Sequence, residues 1–81
     1  SDKNNYYNWL NKVLLIKKPY FTISELCNVF NIKTATARTY ISQLVKLGII
    51  LPDASGNEDT IYRTADPRIC YLMSRGISSL S

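Results

Sequence analysis

The sequence predicts a mainly α-helical fold with a small β-hairpin: a three-helix core, two strands and a short C-terminal helix. Three observations predict it. Apolar residues recur at helical spacing in three stretches before residue 48, and each stretch is followed by a residue that ends helices. Two β-branched or aromatic runs, 49–51 and 60–64, flank a cluster of turn formers. The chain has 81 residues, 46% of them apolar and 20% charged, which suits a single domain spanning 1–81. Folding hides only about 60% of the surface of so short a chain, so a thin core is expected and a large catalytic cleft is not.

In the first segment Tyr6, Trp9, Leu10, Val13 and Leu14 fall on one helical stripe, which predicts a helix from about Asn5 to Lys18, stopped by Pro19. Residues 1–4 are expected to fray. Leu15 lies on the opposite face, and Tyr7 and Ile16 flank the stripe, so this helix is apolar over more than half its circumference.

The second helix starts at Thr22. Thr22-Ile23-Ser24-Glu25 is a capping box, in which the hydroxyl accepts from the Glu25 amide while the carboxylate reaches back, and Phe21 and Leu26 are placed as its hydrophobic staple. Its stripe is Ile23, Leu26, Cys27 and Phe30. Asn31, which tolerates the left-handed conformation, ends it.

The third helix runs from about Thr34 to Leu47, with Ala37, Ile41, Leu44 and Gly48 on its inward side, Tyr40 beside them and Gly48 as its left-handed stop. Its other side reads Ala35, Arg38, Thr39, Ser42, Gln43 and Lys46. That face is small, polar or basic and carries no acid, whereas a face kept for solubility mixes both signs.

The strands Ile49–Leu51 and Thr60–Thr64 enclose the turn cluster Pro52 to Asp59. Asp66 then supplies an N-cap, Pro67 the first helical position, Ile69, Leu72 and Met73 a stripe, and Gly76 a stop. Residues 77–81 are expected to fray.

Charge is uneven along the chain. Residues 1–50 carry seven Lys/Arg against Asp2 and Glu25, a net +5; residues 51–65 carry Arg63 against Asp53, Glu58 and Asp59, a net −2; residues 66–81 are net +1. A basic first half suits a polyanionic partner. The chain contains no His, and Cys27 and Cys70 stand 43 residues apart, which excludes the common zinc spacings and any imidazole mechanism. The two cysteines read as buried thiols in a reducing compartment, a disulfide being the alternative. No cofactor is implied and no enzyme is expected, because there is no carboxylate pair on one helix face, no Gly-rich phosphate loop and no nucleophile beside a base. No apolar run approaches the roughly 18 residues of a membrane span, so a soluble, cytoplasmic or nucleoid-associated protein without membrane contact is expected. With neither an initiator Met nor a signal segment, the chain is expected to be a fragment of a larger protein or to carry a tag scar at Ser1.

Helix, capped helix, tight turn, polar-faced helix and hairpin, in this order, resemble the winged helix-turn-helix family of DNA-binding domains. The match is strongest over Phe21 to Ile50, where Ile32, Thr36, Ala37, Arg38, Ile41, Leu44 and the closing Leu47-Gly48-Ile49-Ile50 fall where the family's recognition helix has its turn hydrophobe, first-turn Thr, core residues and terminator. The resemblance implies a third helix lying in a DNA major groove, a second crossing the phosphate backbone, and a hairpin acting as the wing. On this sequence Lys33, Thr34, Ala35 and Thr36 would meet phosphate at the helix N-terminus. Arg38, Thr39, Ser42 and Gln43 would face base edges, Arg38 suiting guanine and Gln43 adenine, and Lys46 would lie on a flanking phosphate.

Two features depart from a strong DNA binder. The loop Asp53 to Asp59 carries three acids and no base, and the recognition face holds only Arg38 and Lys46 as full charges. A homodimer through Tyr7, Leu15, Ile16 and Met73 would supply a second copy of that face; plain exposure of these apolar residues is the alternative. The function expected is a sequence-specific double-stranded DNA-binding module of a transcriptional regulator. The alternative is a winged-helix interaction module that binds a protein through its first helix or its acidic loop.

Overall fold

The computed structural model describes residues 2–54 and 60–77, and the side chains of all of these except residues 2–4 and 54. The elements are α1 (Asp2–Ile16), β1 (Tyr20–Phe21), α2 (Ile23–Phe30), α3 (Thr34–Lys46), β2 (Ile50–Ala54), β3 (Ile61–Thr64) and α4 (Pro67–Ser74). The fold is mainly α with a small antiparallel sheet in the order β1-β3-β2. Relative to the reading from sequence, α1 begins three residues earlier and ends two earlier, and α3 closes one residue sooner with Leu47 as its C-cap. The expected frayed ends 1 and 78–81 lie outside the described residues, whereas Asp2–Asn4 are helical and Ile77 closes α4.

The core gathers Leu10, Val13, Leu14 and Ile16 of α1, Phe21, Leu26, then Ala37, Ile41 and Leu44 of α3, Ile49, Ile50 and Ile69. Full burial of each large aliphatic side chain favours the folded chain by about 1.5 to 3 kcal/mol. Ile16 corrects an expectation. It is only 6% exposed, so it belongs to the core of its own chain and has no surface to give to a dimer. Met73 packs half-buried against that core, while Tyr7 and Leu15 stay exposed at 43% and 47%. Cys27 and Cys70 are free and half-buried, less enclosed than expected; Cys70 Sγ and Thr64 Oγ1 are 2.9 Å apart.

Each helix stops at a left-handed residue: Lys17 (φ 64°) after α1, Asn31 (φ 53°) after α2, Gly48 (φ 75°) after α3 and Gly76 (φ 75°) after α4. After α3 the Ile49 amide donates to the Leu44 carbonyl and that of Gly48 to Val45, so the last carbonyls are satisfied and Ile49 is carried into the core. The same pair of bonds closes α4, from Ile77 to Leu72 and from Gly76 to Met73. Gly48 itself is exposed and serves only as the stop, not as an inward residue of α3. Lys17 carries a side chain in the left-handed region, which costs about 1 to 2 kcal/mol. The chain turns there, before Pro19 is reached.

The sheet has three strands where a two-stranded hairpin was expected. β1 is a two-residue strand joining α1 to α2; Tyr20 pairs with Arg63, Phe21 with Tyr62, and the Thr64 amide donates to the Pro19 carbonyl at 3.0 Å. β2 starts at Ile50 and continues through Pro52 to Ala54. Pro52 is tolerated because β2 is an edge strand. The register shifts between Pro52 and Ala54, which leaves Asp53 as the extra residue of a bulge. Asp53 is therefore not a loop residue. It lies in β2 with its carboxylate 3.3 Å from Arg63 Nε. The loop residues 55–59, including Glu58 and Asp59, lie outside the described residues.

Candidate nucleic-acid interface

Three inward side chains orient α3. Ala37, Ile41 and Leu44 are buried, and at 100° per residue this turns Arg38, Ser42 and Lys46 away from the core. Tyr40 holds the helix on a second side, with its ring edge-on to Trp9 at 5.2 Å and to Phe30 at 5.8 Å. Lys12 Nζ lies 5.4 to 5.8 Å from the centroids of all three rings, a cation over aromatic faces that ties α1, α2 and α3 together.

The turn before α3 is short. Asn31 ends α2 in the left-handed region, the Ile32 amide donates back to Cys27 at 3.1 Å, and Lys33 is already the extended N-cap of α3. Lys33 supplies no side-chain oxygen. The first helical bond runs from the Ala37 amide to the Lys33 carbonyl, so the amides of Thr34, Ala35 and Thr36 meet no cap. At α2, in contrast, the Glu25 amide donates to Thr22 Oγ1 and the Thr22 amide to Glu25 Oε1, and at α4 the Arg68 amide donates to Asp66.

Of the residues expected to contact DNA, Lys33, Thr34, Ala35, Thr36, Arg38, Thr39, Ser42 and Lys46 are exposed, and Gln43 is half-buried. Thr39 donates its hydroxyl to the Ala35 carbonyl at 3.3 Å, which leaves it only acceptor capacity toward a ligand. The structure thus puts the group on α3 and its N-cap, with Ala35, Arg38, Thr39, Ser42 and Lys46 within about 100° of one another around the helix axis.

The ion pairs of the described residues lie elsewhere. Glu25 is held by Lys18, Asp53 by Arg63 and Asp66 by Arg68, whereas Lys33, Arg38 and Lys46 form no ion pair with a described carboxylate. Hydrogen bonds from Lys18 and the Thr22 amide hold the Glu25 carboxyl below the usual glutamate value, and Arg68 does the same for Asp66. Among the described residues no set of three His, Cys, Asp or Glu side chains could hold a metal ion, and no helix is long and apolar enough to cross a membrane.

Beside α3 runs a groove that the sequence did not reveal. One part, of about 430 Å³, is lined by Ile41, Ser42, Val45, Lys46, Pro52 and Tyr62. It adjoins a part of about 260 Å³ lined by Ile23, Arg38, Ile41, Ser42 and Tyr62. Tyr62 belongs to β3, and only its position in a β-prone run was visible beforehand; its neighbours across the fold were not. Compared with known proteins, the chain matches no family model, no curated protein and no solved structure.

Proposed function

We propose that this chain is a winged helix-turn-helix module that binds double-stranded DNA sequence-specifically, within a transcriptional regulator. The observation that carries this reading is the outward side of α3, where Lys33, Arg38 and Lys46 stand exposed among small and hydroxyl side chains and form no ion pair with a described carboxylate. A protein surface with that composition can approach a phosphate-lined groove closely without repulsion. In this reading the amides of Thr34 to Thr36 and the Lys33 ammonium meet phosphate, Arg38 and Ser42 reach base edges, Gln43 accepts or donates and Thr39 accepts at the margins, and Lys46 lies on a flanking phosphate.

Fluorescence titration against random duplex DNA at low and moderate salt tests it. Micromolar binding whose log K falls linearly with log salt is expected. Absence of binding at the lowest salt overturns the proposal. One copy neutralises few phosphates, so two copies are expected on a useful operator, joined through the exposed Tyr7 and Leu15 of α1. The same exposed pair favours the second reading, a protein-binding module that uses α1. Sedimentation separates them: self-association with DNA binding supports the first, a monomer without DNA binding the second.

A further inference from the structure

The groove beside α3 contains a polar group that nothing among the described residues engages. Tyr62 sits in the central strand of the sheet, paired with Phe21 on one side and Pro52 on the other. Strand alternation sends Tyr62 toward Ile41 and Ser42 of α3, and Arg63 to the opposite face, where it lines a separate hollow with Pro19, Tyr20 and Cys70. The Tyr62 ring stacks on Phe21 with centroids 6.3 Å apart and planes at 29°, which fixes its position. Its hydroxyl has no hydrogen-bond partner among the described residues and is not buried. Along the other wall, Arg38, Ser42 and Lys46 stand at successive turns of α3, with Arg38 and Lys46 about 12 Å apart along the axis. The floor between them is apolar, made by Ile41, Val45 and Pro52, and among the described residues no carboxylate lines it.

We propose that this groove seats the sugar–phosphate backbone of one DNA strand, with the Tyr62 hydroxyl donating to a phosphate oxygen that Lys46 also faces. The inference rests on the reading of α3 as a DNA-binding helix and adds the sheet to the interface. Val45 and Pro52 pack against deoxyribose, while Arg38 and Ser42, at the other end, stand where the same strand turns its base edges inward. A neutral hydroxyl and an ammonium on one phosphate do different work: the ammonium releases a counterion, and the hydroxyl adds a directional bond without changing the salt dependence.

Tyr62→Phe separates these effects, because it keeps the ring on Phe21 and removes only the oxygen. Anisotropy titrations of a labelled duplex at several salt concentrations are expected to show Tyr62→Phe about tenfold weaker than wild type at every salt, with the same slope of log K against log salt. Lys46→Ala is expected to lower that slope by about one. Thermal unfolding of Tyr62→Phe with an unchanged midpoint places the loss in the interface. If wild type binds and Tyr62→Phe binds equally well, the inference falls and the reading of α3 stands. If wild type does not bind at the lowest salt, both fall. A loss confined to one duplex sequence overturns the phosphate assignment in favour of a base contact.

Discussion

Helices α2 and α3 follow one another across a three-residue turn, yet their N-termini are built in opposite ways. At α2, Thr22 and Glu25 satisfy each other's amides, and Lys18 closes over the carboxylate. At α3 the cap residue is Lys33, which offers the exposed amides no oxygen and places a cation in front of a helix end that is already positive. A bare, cationic start costs stability relative to a capped one by about 0.5 to 2 kcal/mol. The start of α2 is closed by its own side chains, whereas the start of α3 is left without a side-chain cap, the arrangement that the proposed DNA contact would use.

The largest effect is expected at the α3 face. Arg38→Ala is expected to weaken binding to the preferred duplex by about 1 to 3 kcal/mol and to relax preference at one base pair, leaving the unfolding midpoint unchanged. Titration against preferred and random duplexes decides it; equal loss on both means that Arg38 does not read a base.

Thr22→Ala has the reverse profile. It is expected to lower stability by about 0.5 to 2 kcal/mol in chemical denaturation and to leave duplex affinity unaltered where the domain remains folded. An affinity loss in the folded protein would place α2's cap in the interface.

Lys33→Ser sharpens the contrast, since it gives α3 the kind of start that α2 has. The variant is expected to gain about 0.5 to 1 kcal/mol of stability while its salt slope for duplex binding falls by about one. Lys33→Ala serves as the control, with the same change in slope and no gain in stability. A Lys33→Ser protein less stable than wild type would show that the α3 amides are already satisfied.

The smallest effect concerns pH. The Glu25 carboxyl is held below its ordinary value of 4.5 by Lys18 and the Thr22 amide, so its contribution is fully present above that value and is lost as pH falls through the lower, folded value. Asp66, lowered by Arg68, acts in the same direction. Denaturation midpoints measured from pH 6 downward are expected to fall less steeply in Glu25→Gln than in wild type, with the Asp66 part remaining. An identical pH profile would mean that Glu25 is not paired in solution.

The local chemistry of the helices could be read from short windows of sequence. The Thr22–Glu25 box, the Asp66-Pro67 start and the stops at Asn31, Gly48 and Gly76 were legible because each is a hydrogen-bond pattern closed within about six residues, with the side chain or backbone freedom it needs present in that window. The stripe of Ala37, Ile41 and Leu44 was legible for a related reason, and it placed the exposed side of α3 with it. Tertiary structure alone decided the rest. β1 is too short to show any period, and it exists because β3, some forty residues later, offers it a ladder. The backbone turns at Lys17, without a glycine there to announce it, and Ile16 just before it enters the core instead of a dimer seam. Asp53 left the loop for a bulge facing Arg63, and Tyr62 came to lie beside Ser42 and Lys46. Those neighbours are set by strand pairing between distant segments, whose register depends on how the whole core packs and leaves no mark within a short window of sequence.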